Sequence, residues 1–144
     1  AMPVQRFTTS RLQWADYGFD LYAMSIIAGE KTMADKPKQL KAFLEASYMG
    51  WRDVMANPKE ALAIFKKRVP EIDIAIIEPN MMMGFDLMRT KNYADNGIGW
   101  IDEKKMCIST DIVNTYMGLP KKVECKTVFS TEYFTKVAMP LLVK

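Results

Sequence analysis

The residues that could carry chemistry in this chain are defined first by an absence. There is no histidine, so histidine triads, Cys2His2 zinc sites and histidine general bases cannot be built from its own side chains. Cys107 and Cys125 do not form a Cys-x-x-Cys pair. Each reads by default as a small buried hydrophobe, and a bridge between them is the alternative. Met81-Met82-Met83 offers soft sulfur, but consecutive residues point in different directions on a helix, so the triplet cannot close on one metal and reads as core packing. Gly97-Ile98-Gly99 has no preceding strand, no third glycine and no following Lys-Ser/Thr, so it is turn chemistry and not a phosphate loop. No cofactor or metal is expected.

Charge narrows the partners further. The formal charge of +3 comes from 20 basic and 17 acidic residues, and the densest basic cluster is Lys66-Lys67-Arg68. A nucleic-acid surface calls for a longer basic stripe on a recognisable module. The longest apolar stretches, such as Leu21 to Ala28, fall short of the roughly 20 residues of a membrane-spanning helix. No basic start, apolar core and small-residue cleavage site marks an export signal in the chain as given.

The elements that must position any site follow from local punctuation. A chain of 144 residues, 49% of them apolar and 26% charged, fits one globular domain without staples. Residues 5–14 alternate weakly and read as extended. Leu21 to Ala28, closed by Gly29, is apolar on both sides; this suggests a strand covered on both faces, with a buried helical turn as the alternative. From Pro37 the period becomes helical, with Leu40, Phe43, Leu44, Ser47, Tyr48, Trp51, Val54 and Met55 three and four apart. Asn57-Pro58-Lys59-Glu60 restarts a helix with Asn57 as cap and Glu60 reaching back, burying Ala61, Leu62 and Phe65. Asp73 caps a segment with Ile74, Ile77, Met81, Phe85 and Met88 on one face and Ile76, Met83 and Leu87 on another, bent near Pro79. Asn92 to Trp100 reads as turns. Asp102 caps a helix whose buried side is Ile108, Ile112, Val113 and Tyr116, stopped by Gly118 and Pro120. Ser130 or Thr131 opens a final helix carrying Phe134, Val137 and Leu141.

Several blocks in this order resemble the solute-binding proteins of bacterial ABC importers, in the branch of nitrate, sulfonate and taurine binders and of binders and synthases of the thiamine pyrimidine precursor. The blocks are Asp16-Tyr17-Gly18-Phe19-Asp20-Leu21-Tyr22, Pro37 to Trp51, Asn57 to Leu62, Pro70-Glu71-Ile72-Asp73, Gly97 to Asp102, and Val128 to Phe134. Lys36 stands where the family has Asn before the proline, and Ser130-Thr131 replaces Thr-Asn. The resemblance implies an α+β, mainly helical chain: part of a type II periplasmic-binding-protein lobe, with one or two strands at the N-terminal end and about five helices. Residues 1–35 would be the crossover and strand region and 36–144 the helical region, in a single domain or fragment.

Family members are longer and hold their ligand between two lobes, so the chain is expected to be a fragment or truncated member. Its parent would capture a small organic solute or anion for an ABC permease and work outside the cytoplasm. Family sites use aromatics and carboxyl groups near the crossover, which assigns ligand binding to Asp16, Tyr17, Asp20 and Tyr22; Tyr22 as a core side chain and Asp16 as a turn residue are the plainer readings. A synthase of the same fold relies on a histidine that this chain lacks, so no catalytic residue is expected. A stand-alone helical interaction domain is the third reading. If the Leu21 to Ala28 strand lacks its neighbours, its edge should drive self-association or pairing with the missing half through residues 5–28.

Overall fold

A computed structural model describes residues 10, 12–22 and 24–138 of the chain. Among them the backbone forms six α-helices and no strand: α1 (Glu30–Asp35), α2 (Pro37–Ala56), α3 (Pro58–Arg68), α4 (Ile74–Met88), α5 (Lys91–Asn96) and α6 (Glu103–Tyr116). Short 3-10 turns at Trp14–Tyr17 and Cys125–Thr127 flank the set. α2 packs against α1 and α3, α3 against α4, and α6 against the second 3-10 turn.

The helix starts are set by residues next to them in sequence. Pro37 and Pro58 occupy first turns, where the missing N–H loses no bond. The Asp73 carboxylate accepts from the Ala75 amide at 2.9 Å, and that of Asp102 accepts from the Lys105 amide at 2.8 Å. Each satisfies a donor that the first turn leaves unpaired. Asn57 departs from expectation: it begins α3 without a side-chain cap bond. Its backbone, at φ −134° and ψ 65°, already joins two helices, and Pro58 at the first position has no N–H in need of a partner. At the far end α3 is closed by Lys66, whose ammonium donates to the carbonyls of Pro70 and Ile72, both at 2.6 Å. Gly118, at φ 63°, follows α6 in the left-handed conformation expected of it.

The core is thin and lies where α2, α3 and α4 meet the C-terminal segment. Tyr48 and Met55 from α2, Leu62 from α3, Phe85 from α4, and Val137 are its buried apolar side chains, joined by Thr110 of α6. Phe134 packs edge-on against Trp100 with ring centroids 5.3 Å apart, and against Tyr48 at 6.0 Å. Tyr93 of α5 donates to the Met55 sulfur at 3.3 Å. Burial raises the Tyr48 and Tyr93 hydroxyls above the ordinary tyrosine range, because taking phenolate out of water disfavours the charged form. Gly99 completes this cluster. At φ +86° it sits so close to Tyr48 that a Cβ there would lie 2.3 Å from the ring, so only glycine fits.

Four expectations need correction. Leu21, Tyr22 and residues 24–28 form no strand; Met24, Ile26 and Ile27 are exposed, Ile27 to 92%. A run apolar on both sides needs neighbours on both sides, and none of the described residues provides a strand to pair with it. Of the first extended segment, residues 5–9 and 11 lie outside the described residues, while Trp14 begins a 3-10 turn. The last helix does not begin at Thr131: residues 131–138 are a turn and irregular chain, which still bring Phe134 and Val137 into the core; Leu141 lies outside the described residues. Lastly, α5 occupies part of Asn92 to Trp100, capped by the Thr90 hydroxyl accepting from the Tyr93 amide at 3.1 Å, so the turn is confined to its end.

The apolar stripes are only partly covered. Leu40, Leu44 and Val54 are half-buried, but Phe43 is 59% and Trp51 45% exposed. On α6, Ile108, Val113 and Tyr116 are exposed, contrary to expectation, and the buried residue is Thr110. The cause is that α6 meets mainly a loop and not a helix.

The cysteines do not pack as separate hydrophobes. Cys107 on α6 and Cys125 in the second 3-10 turn form a disulfide, with Cα atoms 5.0 Å apart and a sequence separation of 18. It ties the loop after α6 back to that helix. Asn114 supports the same closure, exchanging side-chain bonds with the Val123 carbonyl and amide at 2.8 and 2.9 Å.

Candidate functional site

The four residues assigned to ligand binding fall into two pairs with different surroundings. Asp16 and Tyr17 lie on the first 3-10 turn, which is closed by Gly18 at φ 87°. The Gly18 amide donates to the Ala15 carbonyl at 3.1 Å and that of Phe19 to the Trp14 carbonyl at 3.0 Å. This tight turn has no room to bury its side chains: Trp14 is 70% and Tyr17 67% exposed, and Asp16 is exposed as well. Trp14, Tyr17 and Phe19 are thus three exposed aromatics within residues 14–19, an aromatic strip in sequence that also carries the Asp16 carboxylate.

Asp20 and Tyr22 reach instead to the start of α6. Asp20 pairs with Lys105, whose ammonium lies 2.6 Å from the carboxylate. The Tyr22 hydroxyl accepts from the Asp102 amide at 2.9 Å, and the Lys105 ammonium stands 4.9 Å from the Tyr22 ring centroid. One lysine thus meets a carboxylate and an aromatic face together, an arrangement in which ion pairing and cation–π attraction add. Asp102 is used twice, its carboxylate capping α6 and its amide held by Tyr22.

The structure therefore brings Asp20 and Tyr22 together with Asp102 and Lys105, and does not bring Asp16 and Tyr17 into that cluster. Tyr22 is half-buried and anchors the segment; Asp16 and Tyr17 are open to a ligand. Lys105 is the member that sequence reading missed. Asp102 was legible as a helix cap, but nothing local signals that a lysine three residues on faces Asp20 across 85 positions of sequence. Among the described residues no group of three or more Cys, Asp or Glu is placed to hold a metal ion. No helix among them is long and apolar enough to cross a membrane.

Chemically, the strip offers flat aromatic faces and a hydrogen-bond acceptor on an anchored turn, suited to holding a planar or cationic group by stacking and polar contact. It contains no nucleophile paired with a base.

Comparison with known proteins finds one family model and a curated relative. The family model described as NMT1/THI5 like matches residues 3–61, a span that includes both pairs. The chain is also similar to the riboflavin-binding protein RibY of Chloroflexus aurantiacus, with 24% identity over 118 residues covering 80% of this chain and 34% of that protein. The chain thus spans about a third of the length of the curated relative it matches. No solved structure matches it significantly. The resemblance to solute-binding proteins read from the residue blocks is found again by both sequence comparisons.

Proposed function

We infer that this chain serves as one wall of a solute-binding protein for ABC-type import, with Asp16 and Tyr17 facing the solute and Asp20 and Tyr22 holding their segment on α6. The carrying observation is that the family match covers 3–61 and contains the aromatic strip, which is anchored at Asp20 and Tyr22 but left uncovered. Exposed aromatics on a fixed turn are costly to leave in water unless something stacks on them. The named relative binds riboflavin, so the solute class proposed here is a planar heteroaromatic molecule; Trp14 and Tyr17 supply stacking faces and Asp16 an acceptor for a ring N–H.

The exposure of Trp14, Tyr17 and Phe19 supports a wall and not a closed site. A ligand touched from one side keeps most of its water and binds weakly, and closure by a second surface supplies the remaining affinity. That second surface, a membrane permease as the receiving partner, and an extracytoplasmic location belong to the same proposal. The Cys107–Cys125 disulfide supports the location, because such bonds persist in oxidising compartments.

The test is a riboflavin titration of the chain followed through quenching of its tryptophan fluorescence. Saturable binding in roughly the millimolar range, about 4 kcal/mol, is expected, weakened severalfold by Tyr17→Ala. Submicromolar binding would mean that the chain holds a complete site. Quenching that does not saturate, or that Tyr17→Ala leaves unchanged, would contradict the assignment.

A further inference from the structure

Apart from the aromatic strip, the surface that asks most clearly for a partner is the groove between the end of α2 and α3. Asp53, Val54, Asn57, Glu60, Ala61, Ile64, Phe65 and Arg68 enclose about 520 Å³ there. Leu62 turns inward and is 6% exposed, whereas Ile64 is 57% and Phe65 38% exposed on the other side of the same helix. Glu60, Ile64 and Arg68 are spaced four apart, so they form one outward row along α3 with an apolar residue between an acid and a base. Neither Glu60 nor Arg68 takes part in an ion pair among the described residues.

That row is its own complement. A two-fold axis through Ile64 lays a second α3 antiparallel across the first, so that the residue four before Ile64 on one copy meets the residue four after it on the other. Each lies about 6 Å along the helix from the axis. Glu60 then faces Arg68 of the second copy, and the converse pair forms by symmetry, while Ile64 meets Ile64 and the Phe65 side chains close over the contact. A shape presenting the wrong polarity would place like charges together.

We propose that α3 and the adjoining end of α2 form a homodimer interface, with a second copy of this chain packed antiparallel about Ile64. A standard interface buries about 1,200–2,000 Å² in total, which calls for the adjoining end of α2 as well as the 11 residues of α3. The surface is separate from the aromatic strip and does not depend on the solute reading. It also differs from association through a strand edge at residues 5–28, which the described residues there do not form.

Sedimentation equilibrium over a concentration series, on the wild-type chain and on Glu60→Arg, Arg68→Glu and the double reversal, tests it. The wild type should dimerise reversibly. Either single reversal sets like charges opposite each other twice and should weaken the dimer by about tenfold, and the double reversal should restore it. Both positions are exposed, so circular dichroism should show all four chains equally helical. A wild type that stays monomeric at every concentration would overturn the proposal, as would association that the single reversals leave unchanged or the double reversal fails to recover.

Discussion

The helical body and the segment that precedes it are built on opposite terms. Around Tyr48, Met55, Leu62 and Phe85 the chain buries apolar side chains from three helices. Among the described residues between Leu12 and Gly29 it buries none, and holds on through Asp20 to Lys105 and Tyr22 to Asp102. Apolar burial stabilises in proportion to area, while exposed ion pairs and single hydrogen bonds contribute about 1 kcal/mol each at most. The body is thus held by packing and the segment by a few polar contacts, as suits a strip that displays aromatics instead of using them as core.

Substitutions that strike the body should separate the two regions most sharply. Gly99→Ala forces a side chain onto the Tyr48 ring at a positive φ and should cost about 3–4 kcal/mol in chemical denaturation. Gly50→Ala, in the middle of α2 with nothing within 4 Å of the new Cβ, should stabilise by about 0.5–1 kcal/mol. Equal effects at the two positions would mean that the Gly99 contact does not form.

Next in size is the disulfide. Closing a loop of 18 residues limits the unfolded chain by about 3 kcal/mol, so Cys107→Ser with Cys125→Ser should lower the melting temperature clearly. Limited proteolysis should then cut first between 117 and 127, leaving α2 to α4 intact. Cleavage spread evenly over the chain would show that the loop also supports the body.

Alkaline pH addresses the body through its buried phenol. The raised Tyr48 hydroxyl keeps its neutral form in the fold. Its stabilising contribution is therefore complete below the unfolded value near pH 10 and is lost as pH climbs through the raised folded value. The melting temperature should fall above that point, and Tyr48→Phe should reduce the fall; Tyr93, shifted in the same direction, accounts for part of what remains.

These contrasts also explain what could be read from the residues alone. Pro37, Pro58, Asp73 and Asp102 act on the turn they begin, so the starts of α2, α3, α4 and α6 were legible, whereas those of α1 and α5 were not. Leu21 to Ala28 was not, because a run apolar on both faces takes its structure from neighbours far away in sequence, and here Met24, Ile26 and Ile27 lie uncovered. The same limit hid the Cys107 to Cys125 bridge, which depends on how the loop after α6 returns. It also hid Lys105, known only by what it meets. Asp20 and Tyr22 were legible as polar and aromatic groups at a family position; that one anchors through an ion pair and the other through an amide was not.

The smallest effects belong to the segment. Tyr22→Phe removes the acceptor of the Asp102 amide and should cost up to about 1 kcal/mol. Ile27→Ala, at a side chain 92% exposed, should change stability by less than about 0.5 kcal/mol. A larger loss from Ile27 than from Tyr22 would reverse the comparison, making the segment a packed element.

Amide hydrogen exchange along the whole chain, with and without a flavin, tests the account most directly. Amides of α2, α3 and α4 around Met55, Leu62 and Phe85 should exchange slowest, and those of residues 24–28 should exchange at nearly unfolded rates. Added flavin should slow exchange within residues 14–22 and leave the helices unchanged. Strong protection of residues 24–28 without ligand, or no response within 14–22 to flavin, would contradict an exposed, anchored recognition strip.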